Sequence, residues 1–234
     1  MNNFKGFSPD IFTLLELNKF NDSKEFYESV KDEIKSKAIE PMRQLASDLS
    51  DELYKIDDKM NLVPSKMVSR IRRDTRFSKN KNLYRSNVWC MFMRDKHQWM
   101  YQPCMWFEYF TDSYGYGVGM FRTDAAYLQC FREYLSEHQE EFSEALRLIE
   151  LTGATCNIES YKKEKPGTDK ITPELRPFYN CKNIWFVHYS GDMSKLIDGS
   201  VKTELTYAIR AFAPFYSFLL KITEKMYEKG DLNE

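Results

Sequence analysis

From Asn87 to Arg122 the chain is aromatic and β-prone, interrupted only by short polar turns, and that run constrains the fold more than any other stretch. VWCMFMR, HQWMYQPCMWFEYF and YGYGVGMFR read as three strands joined by the turns RDKHQ and TDSYG. Pro103 has no N–H to give to a ladder, which assigns it to a strand edge or a bulge. With a fourth strand from the segment just before them, the expected sheet is a mainly antiparallel meander.

Helical patterns lie on both sides of this run. Ser8, Pro9 and Asp10 form a helix start, with serine as cap, proline at the first helical position and an acid on the positive end of the dipole; the helix is expected to reach about Leu17. Asp22 with Glu25 resembles a capping box, and Phe26, Val30, Ile34, Ala38, Met42, Leu45, Leu49 and Leu53 follow at spacings of four and three. Such a stripe is core packing, and Pro41 within it predicts two helices or a kink. After the sheet, Thr123 and Asp124 cap a helix carrying Tyr127, Leu128, Phe131 and Leu135, and a second helical run from Phe142 to Leu151 stops at Gly153. TCNIESYKK and NIWFVHY are further strand candidates, and residues 200–229 read as a helix kinked at Pro214. The expected class is α+β, a mainly antiparallel sheet of about four to six strands flanked by N-terminal, middle and C-terminal helices. No linker composition interrupts the chain, so a single domain over residues 1–234 is expected.

The segment KMVSRIRRDTRFSKNKNLYR, Lys66 to Arg85, concentrates charge. It carries eight basic residues and one acid, while the whole chain stands at -1. Read as a strand, Met67, Ser69, Ile71, Arg73, Thr75 and Phe77 fall on one face and Val68, Arg70, Arg72, Asp74 and Arg76 on the other. Unit charges about 7 Å apart repel by roughly 0.6 kcal/mol in water, so a stripe of Arg70, Arg72 and Arg76 calls for counter-charge, either internal acids or a bound anion. FSKNKN then reads as a loop bearing Lys79 and Lys81. Guanidinium forks suit phosphate or carboxylate; the alternative is a ladder of salt bridges to the acidic remainder of the chain.

RIRRDTRFSKNKNLYR resembles the signature of the domain of unknown function 2461 family, conserved hypothetical bacterial and fungal proteins, whose pattern runs approximately R-I-x-R-D-T-R-F-S-K-D-K-x-P-Y-K. Arg70, Ile71, Arg73, Asp74, Thr75, Arg76, Phe77, Ser78, Lys79, Lys81 and Tyr84 match it, whereas Asn80, Leu83 and Arg85 depart from it. Phe4, Gly6 and Phe7, the helix start from Asn21 to Tyr27, and the glycine-rich Tyr116 to Phe121 extend the likeness along the chain. The resemblance implies an α+β domain of about this length and carries no activity.

Three further features bear on chemistry. Gly115, Gly117 and Gly119 share one face of a strand, which leaves either room for a ligand or a site of close backbone packing; the spacing is not the dinucleotide fingerprint. Glu108 lies among aromatic residues, where a carboxyl would have a raised pKa and serve as an acid or base unless an arginine pairs with it, which is the simpler expectation. His97, His138 and His188 form no ligand-spaced set, and no nucleophile elbow or P-loop occurs, so neither a metal nor a cofactor is expected.

Five scattered cysteines without a CxxC pair, no charged and apolar leader, and no run of 18 apolar residues make a cytoplasmic protein without membrane contact the expectation. The leading function is a binding module whose cleft, formed by Arg70, Arg72, Arg76, Lys79, Lys81, Tyr84, Arg85, Glu108, Gly117 and Gly119, holds a phosphate-bearing small ligand. A nucleic acid stacked on Tyr84, Trp89 and Tyr116 fits less well with a pI near 6.4. The alternatives are an enzyme acting on a phosphorylated or carboxylated small molecule, with Glu108, Asp74 or a tyrosine moving protons, and an interaction domain for an acidic partner.

Overall fold

The computed structural model describes residues 4–94 and 101–230. Its four strands, β1 (Val88–Phe92), β2 (Pro103–Tyr109), β3 (Tyr114–Met120) and β4 (Trp185–Ser190), form one antiparallel sheet in the order β1-β2-β3-β4. The first three are the expected meander, and Pro103 opens β2, where its missing donor costs no ladder bond. The fourth place is taken by β4, from NIWFVHY, and not by the arginine-rich segment. TCNIESYKK makes only isolated bridges, Thr155 to Val187 and Ser160 to Cys181. The RDKHQ turn beyond Arg94, with His97 and the first residues of the second expected strand, lies outside the described residues.

By backbone proximity the chain divides into two compact units. The first comprises Met1–Phe92, Trp106–Tyr116 and Tyr189–Thr206. Here α1 (Asp10–Asn21) is followed by α2 (Lys24–Ile34), a π-helical turn (Lys35–Ile39) and α3 (Glu40–Ile56), with short helices α4 (Pro64–Met67) and, later in the chain, α8 (Ser194–Ile197). The Ser8 hydroxyl donates to the Asp10 carboxylate and caps no backbone group, and α2 is capped by Ser23, whose Oγ accepts from Phe26 N–H at 3.1 Å. Pro41 cannot close an α-helical bond to residue 37, and the chain answers with the wider π turn, in which Glu40 N–H reaches Lys35 O. From Ile34 to Leu53 the expected stripe is buried, with Ala38, Met42, Leu45 and Leu49 at 0% exposure. Phe7 and Phe12 pack on Tyr109 with ring centroids 4.6 and 5.7 Å away. Each fully buried side chain of this kind contributes about 1.5–3 kcal/mol.

The second unit comprises Met93–Met105, Gly117–His188 and Tyr207–Glu234. Helix α5 (Ala125–Glu137) begins at Asp124, whose carboxylate accepts from Tyr127 N–H at 2.9 Å, and α6 (Gln139–Glu150) ends just before Gly153, which adopts φ +70°. A short helix α7 (Arg176–Tyr179) precedes β4. The last helix, α9 (Val201–Glu228), runs through Pro214 and supplies this unit from Tyr207 onward. Phe142 is the hub of its core, with Phe131, Phe215 and Phe218 at 5.7, 5.7 and 4.9 Å. Among the described residues no helix is long and apolar enough to cross a membrane.

Candidate functional site

Residues 68–90 of the first unit fold out and back as an arm. Its two limbs meet through isolated antiparallel bridges, Val68 to Cys90 and Arg72 to Tyr84, with Ser69 N–H on Trp89 O, Arg73 N–H on Leu83 O and Arg85 N–H on Ile71 O. The expected period-two exposure is present although no continuous strand forms: Met67, Ser69 and Ile71 are buried, Arg73 and Thr75 half-buried, and Arg70, Arg72, Asp74 and Arg76 exposed. It ends where the arm turns. The Asp74 carboxylate accepts from Arg76 N–H, Ser78 N–H reaches Thr75 O, and Phe77 swings out to 95% exposure, not inward with Met67.

Asp22 anchors the returning limb. It lies between α1 and α2 at φ 44°, ψ 34°, a left-handed conformation that aspartate tolerates better than most residues, and its Oδ1 accepts from Leu83 N–H at 2.7 Å and Tyr84 N–H at 3.1 Å. The capping role expected of Asp22 passes to Ser23, freeing the carboxylate for this contact. Lys19 Nζ adds a bond to Ser86 Oγ at 3.3 Å, and Tyr27 stacks on Tyr84 at 4.7 Å.

The pairing sorts the arginines onto two faces. Arg72 faces Tyr84 across the bridge, and burial raises the phenol's pKa while the Arg72 charge opposes the rise. Arg70 is exposed on the same face. Arg76 grips Asp74 through Nε at 3.0 Å and Nη2 at 2.7 Å, which holds that carboxyl at about 2. Lys81 Nζ caps Thr75 O at 3.0 Å, and Lys79 is exposed. The stripe expected from the sequence is therefore a solvated face in which one member is already paired.

Ile71, Arg73, Leu83 and Arg85 occupy the other face. Arg85 is half-buried, and its Nε is shut off from solvent without a hydrogen-bond partner. Burial lowers its pKa, and the Arg73 charge beside it adds to that. Arg73 reaches Ser78 Oγ at 3.4 Å; no carboxylate pairs with either guanidinium among the described residues. The arm thus holds two like charges side by side, one of them partly desolvated.

Among the described residues Glu108 on β2 does not take the arginine partner expected for it. Its carboxylate meets Asn87 Nδ2 at 3.5 Å and the Tyr189 hydroxyl at 3.4 Å, and burial raises its pKa while these two contacts oppose the rise. Gly117 and Gly119 belong to the second unit. Gly119 has φ +151°, and a β-carbon there would lie 2.4 Å from Ile184 O and from Trp185 Cα, so the glycine serves close backbone packing. Elsewhere in the first unit, Glu204 accepts from Tyr114 and Tyr116 and pairs with Lys195 at 2.7 Å, a set the sequence did not single out. Among the described residues no group of His, Cys, Asp and Glu is placed to hold a metal ion.

Residues 10–218 match the family described as conserved hypothetical protein (DUF2461). The chain belongs to this family. No curated protein matches it. The span shared with DUF2461 contains the whole arm, Asp22, Glu108 and Tyr189, and the DUF2461 description assigns neither a ligand nor a reaction.

Proposed function

We propose that this DUF2461 protein is a cytoplasmic binding module whose arm seats the phosphate of a small ligand on Arg73 and Arg85. The observation that carries the proposal is the half-buried Arg85 guanidinium, its Nε enclosed and unpartnered, beside the Arg73 guanidinium, with no carboxylate on either among the described residues. A partly desolvated cation without a counter-charge is costly, and a forked anion relieves both the desolvation and the repulsion. Arg70 and Arg72, exposed on the opposite face of the arm, and the exposed Lys79 and Lys81 at its turn add a local field that draws anions in. The small net charge of the chain supports a small molecule over a nucleic-acid polymer. A second reading, an enzyme acting on the same ligand, is favoured by Glu108, a carboxyl raised by burial and balanced by no cation among the described residues.

Thermal shift and calorimetric titration with inorganic phosphate, nucleotides, sugar phosphates and oligonucleotides test the proposal. A ligand at a hundred times its Kd should stabilise the protein by about 2.7 kcal/mol. Arg85→Gln and Arg73→Gln should abolish binding, and Arg76→Ala should leave it intact because that fork is already closed on Asp74. If the midpoint stays unmoved with all four classes, the phosphate reading is wrong; tighter binding of an oligonucleotide than of any small phosphate would replace it with nucleic-acid binding.

A further inference from the structure

We infer that the organic part of the ligand is a sugar, so that the site takes a sugar phosphate; this rests on the phosphate reading above. The returning limb of the arm leads into β1: Tyr84, Val88 and Cys90 are buried, Arg85, Ser86, Asn87 and Trp89 are half-buried, and the chain bends at Ser86. Arg85 N–H on Ile71 O and Ser69 N–H on Trp89 O set Arg85 and Trp89 on the face that Ile71 and Ser69 share, and Asn87, two residues from each, lies within about 7 Å of both along the chain. Asn87 Nδ2 in turn meets the Glu108 carboxylate at 3.5 Å. An anion subsite and an acceptor subsite are therefore set side by side, at the reach of a small phosphorylated metabolite.

The Glu108 subsite is open to donors. Its Oε2 has the long contact to Asn87 and its Oε1 the 3.4 Å contact to Tyr189, which leaves lone pairs on both oxygens. Two neighbouring hydroxyls of one ring donate to the two oxygens of a carboxylate without bringing a charge. An ammonium group would also satisfy Glu108, but the flanking surface favours a ring: Tyr189 is 57% exposed, and half-buried Trp89 shares the side of Arg85. Aromatic faces of this kind pack on the apolar C–H face of a pyranose. In this arrangement the arginines hold the phosphate, Glu108 reads the hydroxyls and the aromatic rings exclude water from the ring face.

Calorimetric titration of the full chain with glucose 6-phosphate, glucose, inorganic phosphate and O-phosphoethanolamine tests the inference. Glucose 6-phosphate should bind about tenfold or more tighter than inorganic phosphate, the gain expected from two added hydrogen bonds. Glu108→Gln and Tyr189→Ala should each erase that advantage and leave the Kd for inorganic phosphate unchanged, whereas Arg85→Gln should lose both ligands. Tyr189 is exposed enough that its truncation keeps the fold should Glu108→Gln fail to fold. Equal affinity for glucose 6-phosphate and inorganic phosphate in the parent chain, an advantage that survives Tyr189→Ala, or tighter binding of O-phosphoethanolamine overturns the sugar assignment and leaves the phosphate site standing. If none of the three phosphates binds, both fall.

Discussion

Replacing Asp22 separates the two things this residue does for the arm. Asp22→Ala removes the acceptor of two part-buried N–H groups, those of Leu83 and Tyr84, and leaves a residue without a local polar contact at φ 44°. A stranded N–H that water partly reaches costs about 1 kcal/mol, so the pair accounts for about 2 kcal/mol. The left-handed conformation adds about 1 kcal/mol for alanine. The expected total is about 3 kcal/mol. Asp22→Gly relieves the backbone and should cost about 2 kcal/mol, while Asp22→Asn keeps a carbonyl acceptor and the tolerance of φ > 0 and should cost less than about 1 kcal/mol. Urea denaturation with a shared m-value ranks the three. The tethered groups directly precede Arg85, so phosphate affinity should fall in the same order. An alanine variant no less stable than the glycine variant, or all three within about 0.5 kcal/mol of the parent, would refute the tether.

Burial raises the Glu108 carboxyl, so the folded protein keeps that proton to higher pH than the unfolded chain, and stability declines with rising pH from about the ordinary value of 4.5 until the folded carboxyl ionises. Glu108→Gln should therefore match the parent below that range and melt higher than it above; a parallel pair of Tm-against-pH curves would contradict the shift. Gly119→Ala drives a β-carbon into the backbone of Ile184 and Trp185 and should cost about 3 kcal/mol or more in urea, and a neutral result would mean that β3 can retreat. All five cysteines should titrate in denaturant without reductant, while buried Cys90 and Cys104, the latter pushed up to about 12, stay silent in the native protein; fewer than five thiols would reveal a disulfide. One domain over residues 1–234 remains our proposal, and calorimetry should give a single transition with equal calorimetric and van't Hoff enthalpies, two resolved transitions being the contrary outcome.

The helical stripe and the first three strands were legible because each depends on a local period: four-and-three spacing buried Ile34 to Leu53, and aromatic runs between polar turns became β1 to β3. The arm was half legible. Its alternation held from Met67 to Arg76, but alternation reports which side chains face inward and not whether a ladder forms, and only two bridges do. The same alternation placed Arg73 on the inward face with Met67 and Ile71, so its approach to Arg85 was hidden until the limbs were paired. Asp22 looked like a cap because Ser23 beside it was an equally good one, and a carboxylate that reaches residues about 60 positions away leaves no local trace. Glu108 drew the expectation of an arginine partner from the density of arginines nearby; its partner Tyr189 lies 81 residues further along.

The π turn between α2 and α3 settles a matter of phase. An α-helix turns about 100° per residue, so each step of four overshoots a full circle by about 40°, and the four such steps from Phe26 to Met42 would carry the apolar stripe about 160° around the rod. The extra residue held in the wide turn at Lys35–Ile39 takes back about 100° of that drift. One residue removed within the turn would keep both stripes aimed the same way, at the cost of seating Pro41 where it cannot bond to the residue four before it, whereas one residue removed within α3 would rotate everything beyond it out of register. Lys35–Ile39 is thus the place along this helical pair where the chain can change length by a single residue and keep its core.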